Sequence, residues 1–328
     1  MVCLIISNAV CRAPVAKIQD GMNWRVKGLI QKVLSLTPGG MRVNDWLQKT
    51  AGTNRDFAGQ LEAKVSDWAI LVSHGDRLGM PLAGRRLAEV GTGWFPTLPI
   101  CYSLAGAARC DTYDLNRHMN EEWTFRMLRD LEPFLDRIAQ TAQLSRQTVE
   151  ERYRMLRQAG SLGQLLSAAG VDYHAPADAS RTGLDEASVD IVFSNSVLEH
   201  VPPDVIRAIF RESERILKPG GLSIHSANCG DHYAYFDKSI TAINYLTYTA
   251  GRWKTWDNDL LYQNRLRPVD FYDMATEAGL DVPVRIHRPR PELLEALPKL
   301  DIAPEFRHYP PDQLCATSVD LVGRKKNV

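Results

Sequence analysis

From residue 86 onward the sequence alternates short apolar runs with longer stretches of helical spacing, and this alternation is its strongest constraint on the fold. Strands separated by such spacers are expected to pair mostly in parallel, through crossovers of about a dozen residues or more, as βαβ units in a mostly parallel sheet. Strands are expected at 86–91 (RLAEVG), 109–115 (RCDTYDL), 171–176 (VDYHAP), 189–195 (VDIVFSN) and 220–228 (GGLSIHSAN), with two more at 282–288 and 316–325.

The flanking segments set the domain plan. Residues 22 to about 80 show helix-like apolar spacing, among them Trp24, Leu29, Val33, Leu61, Val65 and Trp68, interrupted by TPGG and AGTN. A helical extension over 1–82 is expected to precede an α/β domain over 83–328. More than fifty polar, helix-forming residues lie between Asp114 and Val171, far more than a minimal crossover needs, so a helical insertion is placed at 117–168. A second, aromatic-rich insertion is placed at 230–267. Both should project from the carboxyl ends of strands, the edge where open α/β sheets bind ligands.

Lys+Arg and Asp+Glu are equal at 39 each, which gives no basic field for nucleic acid. The 45% hydrophobic and 24% charged content is that of a globular chain. The six cysteines form no C-x-x-C pair and no metal-ligand spacing, which suggests reduced thiols in a cytoplasmic protein. The apolar opening MVCLIISNAV is too short to span a bilayer, and no run approaches eighteen apolar residues.

The chemistry concentrates in three places. The stretch EVGTGWFP ends the first strand in a turn with two glycines, Gly91 and Gly93, where the backbone can approach a ligand and helix N–H groups are unpaired. Asp114 ends the second strand, in position for a carboxylate that accepts hydrogen bonds from both ribose hydroxyls of an adenosine-containing cofactor. The third place is SNSVLEHVPP, after the fourth strand, leading into an amphipathic helix closed by LKPGG.

With EVGTGWFP, YDLN, HAPADAS, VDIVFSNSVLEHV and RILKPGGLSIHS in this order and spacing, and VDFYDMATEAGLDV after them, the chain resembles the class I S-adenosylmethionine-dependent methyltransferases. The resemblance implies a Rossmann-like, seven-stranded, mostly parallel sheet with an antiparallel last strand, and S-adenosyl-L-methionine as cofactor. Glu89, Gly91 and Gly93, with Thr92 between the glycines, would hold the methionine moiety. Asp114, with Leu115 beside it, would hold the ribose, Asp178 and Ala179 would flank adenine, and Asn195 and Ser196 would close the far side. The third glycine of the family loop is absent. Trp94 or Phe95 takes its place, which suits a cofactor without a pyrophosphate and makes these two rings expected walls of the methionine end.

Methyl transfer is an in-line displacement at a carbon activated by a sulfonium, so positioning can supply on the order of 7–11 kcal/mol. A general base matters only when the acceptor is a hydroxyl. His232, with Asp231 beside it, is the favoured base and His200 the runner-up. Tyr233 and Tyr235 are expected either as an acceptor platform or as the core of a lid, and Arg265 either as an anchor for a phosphate or carboxylate or as a cap of the following helix. No metal site is expected. The reading is O-methylation of a small molecule or saccharide, as in methyltransferases of polysaccharide or secondary-metabolite pathways, with a homodimer open. Its rivals are a non-catalytic binding subunit of the same fold and a nicotinamide-dependent oxidoreductase, which would need a full G-x-G-x-x-G at 91–96.

Overall fold

The computed structural model describes residues 23–37, 56–258, 260 and 262–327; the apolar opening and the breaks within TPGG and AGTN fall largely outside them. The strands are β1 (Arg86–Val90), β2 (Arg109–Tyr113), β3 (Val171–His174), β4 (Val189–Asn195), β5 (Leu217–Asn228), β6 (Asp281–Pro289) and β7 (Ala316–Arg324). They form one seven-stranded sheet in the order β3-β2-β1-β4-β5-β7-β6. β1 to β5 pair in parallel, and β7 runs antiparallel to both neighbours. This is the expected Rossmann-like sheet with an antiparallel last strand.

The helices are α1 (Trp24–Leu36), α2 (Phe57–Arg77), α3 (Thr97–Leu104), α4 (Glu121–Asp130), α5 (Leu135–Thr141), α6 (Arg146–Arg157), α7 (Leu162–Ala168), α8 (Pro203–Ile216) and α9 (Pro268–Glu277). Polar caps start several of them. The side chains of Asn23, Asp56, Asn120, Ser145 and Ser161 accept from backbone N–H groups of the first turn, which would otherwise lack partners. Pro203 occupies the first position of α8, where no N–H is needed.

Alternation along the strands builds two cores. Leu87, Ile191, Phe193, Leu222, Ile224 and Val322 point to one face, where α2, α3 and the charge-rich helices α4 to α7 pack their apolar sides. Ala88, Val192, Val319 and Leu321 point to the other, against Ile206, Ile209 and Phe210 of α8 and Phe271 and Tyr272 of α9. The helices between Asp114 and Val171 therefore thicken one layer of the sandwich. A third cluster lies beyond β5, where Trp24 meets Tyr233, Tyr245, Leu246 and Trp253.

α1 departs from its sequence pattern. It buries Trp24, while Leu29 and Val33, read as part of an apolar face, are 57% and 54% exposed. Its buried stripe is Trp24, Gly28 and Gln31; the Trp24 N–H donates to Asp237 Oδ2 at 3.0 Å, and the Lys32 ammonium donates to Lys254 O.

Candidate functional site

The sheet order sets the site. Turns following β3, β2, β1 and β4 emerge side by side at the carboxyl edge, and a cleft of about 280 Å³ opens there. It is lined by Asp178 and Ala179 after β3, Asp114 and Leu115 after β2, Gly91 and Gly93 after β1, and His200 and Val201 after β4. Seven residues expected at a cofactor or catalytic site thus meet in one cavity.

The glycines have a geometric reason. Gly91 sits at φ +80°, and a Cβ there would lie 2.6 Å from Val197 Cγ2. The Gly93 N–H turns inward and donates to Asp114 Oδ2 at 3.1 Å, and the Tyr173 hydroxyl donates to the same oxygen at 3.0 Å. Burial raises the Asp114 carboxyl to about 6 despite these donors. Asp178 is exposed and shapes its own turn, accepting from Ser180 N at 2.8 Å.

Leu115 and Val205, both lining the cleft, are 52% and 37% exposed. With Val197, Val201 and Ile209 they make apolar walls beside the two acids, a combination that suits a flat heterocycle joined to a polyol. The α8 residues Pro202 to Ile209 were missed as wall from sequence. Their signal is the apolar face of VPPDVIRAI, indistinguishable there from an ordinary core face.

Other expected cofactor residues stand one layer back. Glu89 is buried and accepts from the Thr112 hydroxyl at 2.6 Å; burial pushes its carboxyl up to about 8. The Thr92 hydroxyl bonds that of Thr112, behind the loop. Neither residue lines the cleft. Asn195 also faces away, donating from Nδ2 to Asp67 of α2 at 3.0 Å. Ser196 sits at φ +53° with its N–H on Ser226 O, and it turns the chain so that Leu198–His200 follows as a 3₁₀ turn. Trp94 and Phe95 are not cleft walls either. Phe95 is buried against Phe57 at 5.2 Å, and Trp94 packs 5.9 Å from Trp123.

The catalytic expectations change most. His200 lines the cleft, and His232 lies behind it with ring centroids 5.1 Å apart. Full burial, reinforced by the His200 ring, holds His232 well below the ordinary histidine range, so it is a poor proton acceptor at neutral pH. Asp231 does not orient it, since its two oxygens accept from Tyr233 N and Asn244 Nδ2. Adjacent residues in a 3₁₀ turn face different ways. The carboxyl of Glu199, between Leu198 and His200, is also fully buried and raised to about 8.

The expected acceptor platform is instead internal structure. Tyr233 is 3% exposed, packs on Trp24 at 5.3 Å, and donates to Trp256 O at 3.1 Å. The Tyr235 hydroxyl accepts from Asn228 Nδ2, with its ring 5.4 Å from His232. Arg265 holds the carbonyls of Tyr245 and Tyr248 and stands 4.8 Å over Phe306. These contacts knit the 230–267 segment together and engage the Arg265 guanidinium within it.

Residues 148–225, from within α6 to His225 in β5, match the family model described as a methyltransferase domain. None of the curated proteins matches the chain. Among solved structures, an S-adenosylmethionine-dependent methyltransferase from Mesorhizobium loti is 16% identical over 77% of this chain and 96% of its own, with a TM-score of 0.43. A geranyl diphosphate methyltransferase in complex with its methyl donor is 12% identical over 84% and 92%, at 0.44. The [4+2]-cyclase SpnF is 14% identical over 81% and 83%, also at 0.43. At such values neither acceptor nor chemistry transfers to this chain.

Proposed function

We propose that this chain is a class I S-adenosylmethionine-dependent methyltransferase and methylates a hydroxyl of a small molecule; the methyltransferase-domain match over 148–225 supports the reading. The observation that carries the reading is one cleft combining the Gly91–Gly93 turn, Asp114, Asp178 and exposed apolar walls. Asp114 accepts the ribose hydroxyls, Leu115 and Val205 enclose the adenine, and Asp178 borders it. Glu89, behind the turn, accepts from the Thr112 hydroxyl, which also bonds the Thr92 hydroxyl, and so holds the turn at the methionine end.

Bound there, the donor supplies a methyl carbon on a sulfonium. Transfer forms the bond from the acceptor oxygen to that carbon, the C–S pair passes to sulfur, and the hydroxyl proton leaves. Sheet order puts Asp178, Asp114, the glycine turn and His200 in sequence across the edge, so His200 stands at the opposite end from the adenine acids. Its Nδ1 is 2.8 Å from Tyr262 O, which can only accept, so the neutral ring carries its lone pair on Nε2. This supports an acceptor with an exchangeable proton, and a hydroxyl is the choice it favours.

Calorimetric titration with S-adenosylhomocysteine tests the donor site, and an acceptor screen with labelled donor tests the reaction. The reading requires one equivalent bound and label on oxygen. Absence of binding, or label recovered on nitrogen or carbon, overturns the corresponding half.

A further inference from the structure

Behind the His200 wall, and among the described residues, Glu199, His200 and His232 each offer one ligand atom within 4.8 Å of the others. All three are 1–2% exposed. Among the described residues, Glu199 Oε2 and both ring nitrogens of His232 have no hydrogen-bond partner. Buried polar atoms are nearly always satisfied. Several in one place, on groups that carry lone pairs, point to a lone-pair acceptor between them.

The surroundings hold the groups in place. The Nδ1–H of His200 donates to Tyr262 O, which presents Nε2 as the ligating nitrogen. Backbone N–H groups at Glu199 and Asn228 bond the Glu199 carboxylate, while Oε2 remains for a further partner. The Tyr235 ring covers His232 from one side, itself held by Asn228. Ligand orientation by such outer partners is a mark of built metal sites.

We propose that Glu199, His200 and His232 bind a divalent transition-metal cation at the acceptor end of the cleft. Two imidazoles and one carboxylate suit Zn²⁺, Co²⁺, Fe²⁺ or Mn²⁺, whereas Ca²⁺ and Mg²⁺ prefer oxygen alone. Three protein ligands leave a position open for a further ligand, and His200, which lines the cleft, sets the cation beside the cavity. On the methyltransferase reading, on which this role rests, the open position takes the acceptor oxygen. The bound hydroxyl gives its proton to water, its oxygen bonds the methyl carbon, and the C–S pair passes to sulfur.

The site is tested on the full chain, stripped with EDTA and titrated calorimetrically with CoCl₂ and ZnCl₂ in the absence of donor. One equivalent of each is expected, with a visible Co²⁺ band and a higher Tm. Glu199→Gln and His232→Gln should each lower the affinity roughly tenfold or more. No heat, no band and no Tm change in the wild-type chain overturn the site, as does undiminished binding in both variants; the wild-type titration decides even where a variant does not fold. S-adenosylhomocysteine is titrated in parallel. If it binds and the cations do not, the cation site alone falls; if the cations bind and it does not, the donor reading alone falls.

Discussion

At the scale of single residues, the two carboxyls nearest the glycine turn are the most informative, because burial acts against each of them. Asp114 must be ionised to accept both hydroxyls of a ribose, and its carboxyl is raised to about 6. S-adenosylhomocysteine affinity should therefore be flat above pH 7 and fall as the pH drops through about 6, and Asp114→Asn should weaken it about tenfold or more at every pH. Calorimetry across pH 5–8 checks both, and a pH-independent Kd would remove Asp114 from the ribose. Glu89 gives a stability prediction. Folding raises its carboxyl from 4.5 to about 8, so the folded state holds the proton more tightly. Stability is fully present below about 4.5 and is lost as pH rises toward about 8, by at most roughly 1.4 kcal/mol per pH unit. Glu89→Gln, which keeps an acceptor for Thr112, should raise Tm at pH 8. Unchanged Tm at pH 8 would mean that the carboxyl ionises without cost.

At the scale of elements, what was legible divides by mechanism. Strand positions follow from apolar runs, because a buried parallel strand is apolar on both faces, and all seven lie where the sequence placed them to within a few residues. Loop residues near the strand ends were legible as a set, but which way each side chain turns depends on backbone angles that sequence does not carry. Ser196 at φ +53° is the example: it rotates the following turn so that His200 meets the cleft while Asn195 reaches α2. Two element-scale outcomes are expected. Gly91→Ala places a Cβ 2.6 Å from Val197 at a positive φ, so the β1 turn must shift and S-adenosylhomocysteine binding should fall at least tenfold. Trp24→Ala opens a void between Tyr233, Trp253 and Trp256, rings 4.9–6.2 Å away, and should cost about 3–5 kcal/mol in urea unfolding. A loss below about 1 kcal/mol would mean that α1 is not part of that core.

For the molecule as a whole, the three hydrophobic clusters predict how a ligand is felt at a distance. The first two share the sheet and should unfold as one unit, whereas the Trp24–Trp253 cluster joins it through the segment after β5 and the connection between β6 and β7. That third cluster was not legible beforehand. Trp24 and Trp253 are more than two hundred residues apart, and no local period links an N-terminal helix to an aromatic loop. S-adenosylhomocysteine at about 100 times its Kd should add roughly 2.7 kcal/mol and raise Tm by several degrees. Its protection against hydrogen exchange should concentrate at 91–93, 114–115, 177–179 and 197–209, the cleft walls. The amides around Trp24 and Trp253 lie outside those walls and should gain less. Co²⁺ should protect 199–200 and 232, so the two footprints overlap at 199–200, with 232 protected by the cation alone and 91–93, 114–115 and 177–179 by the donor alone. Equal protection of all three clusters by either ligand would show that they open together, and the Trp24 cluster would then be part of the same cooperative unit as the sheet.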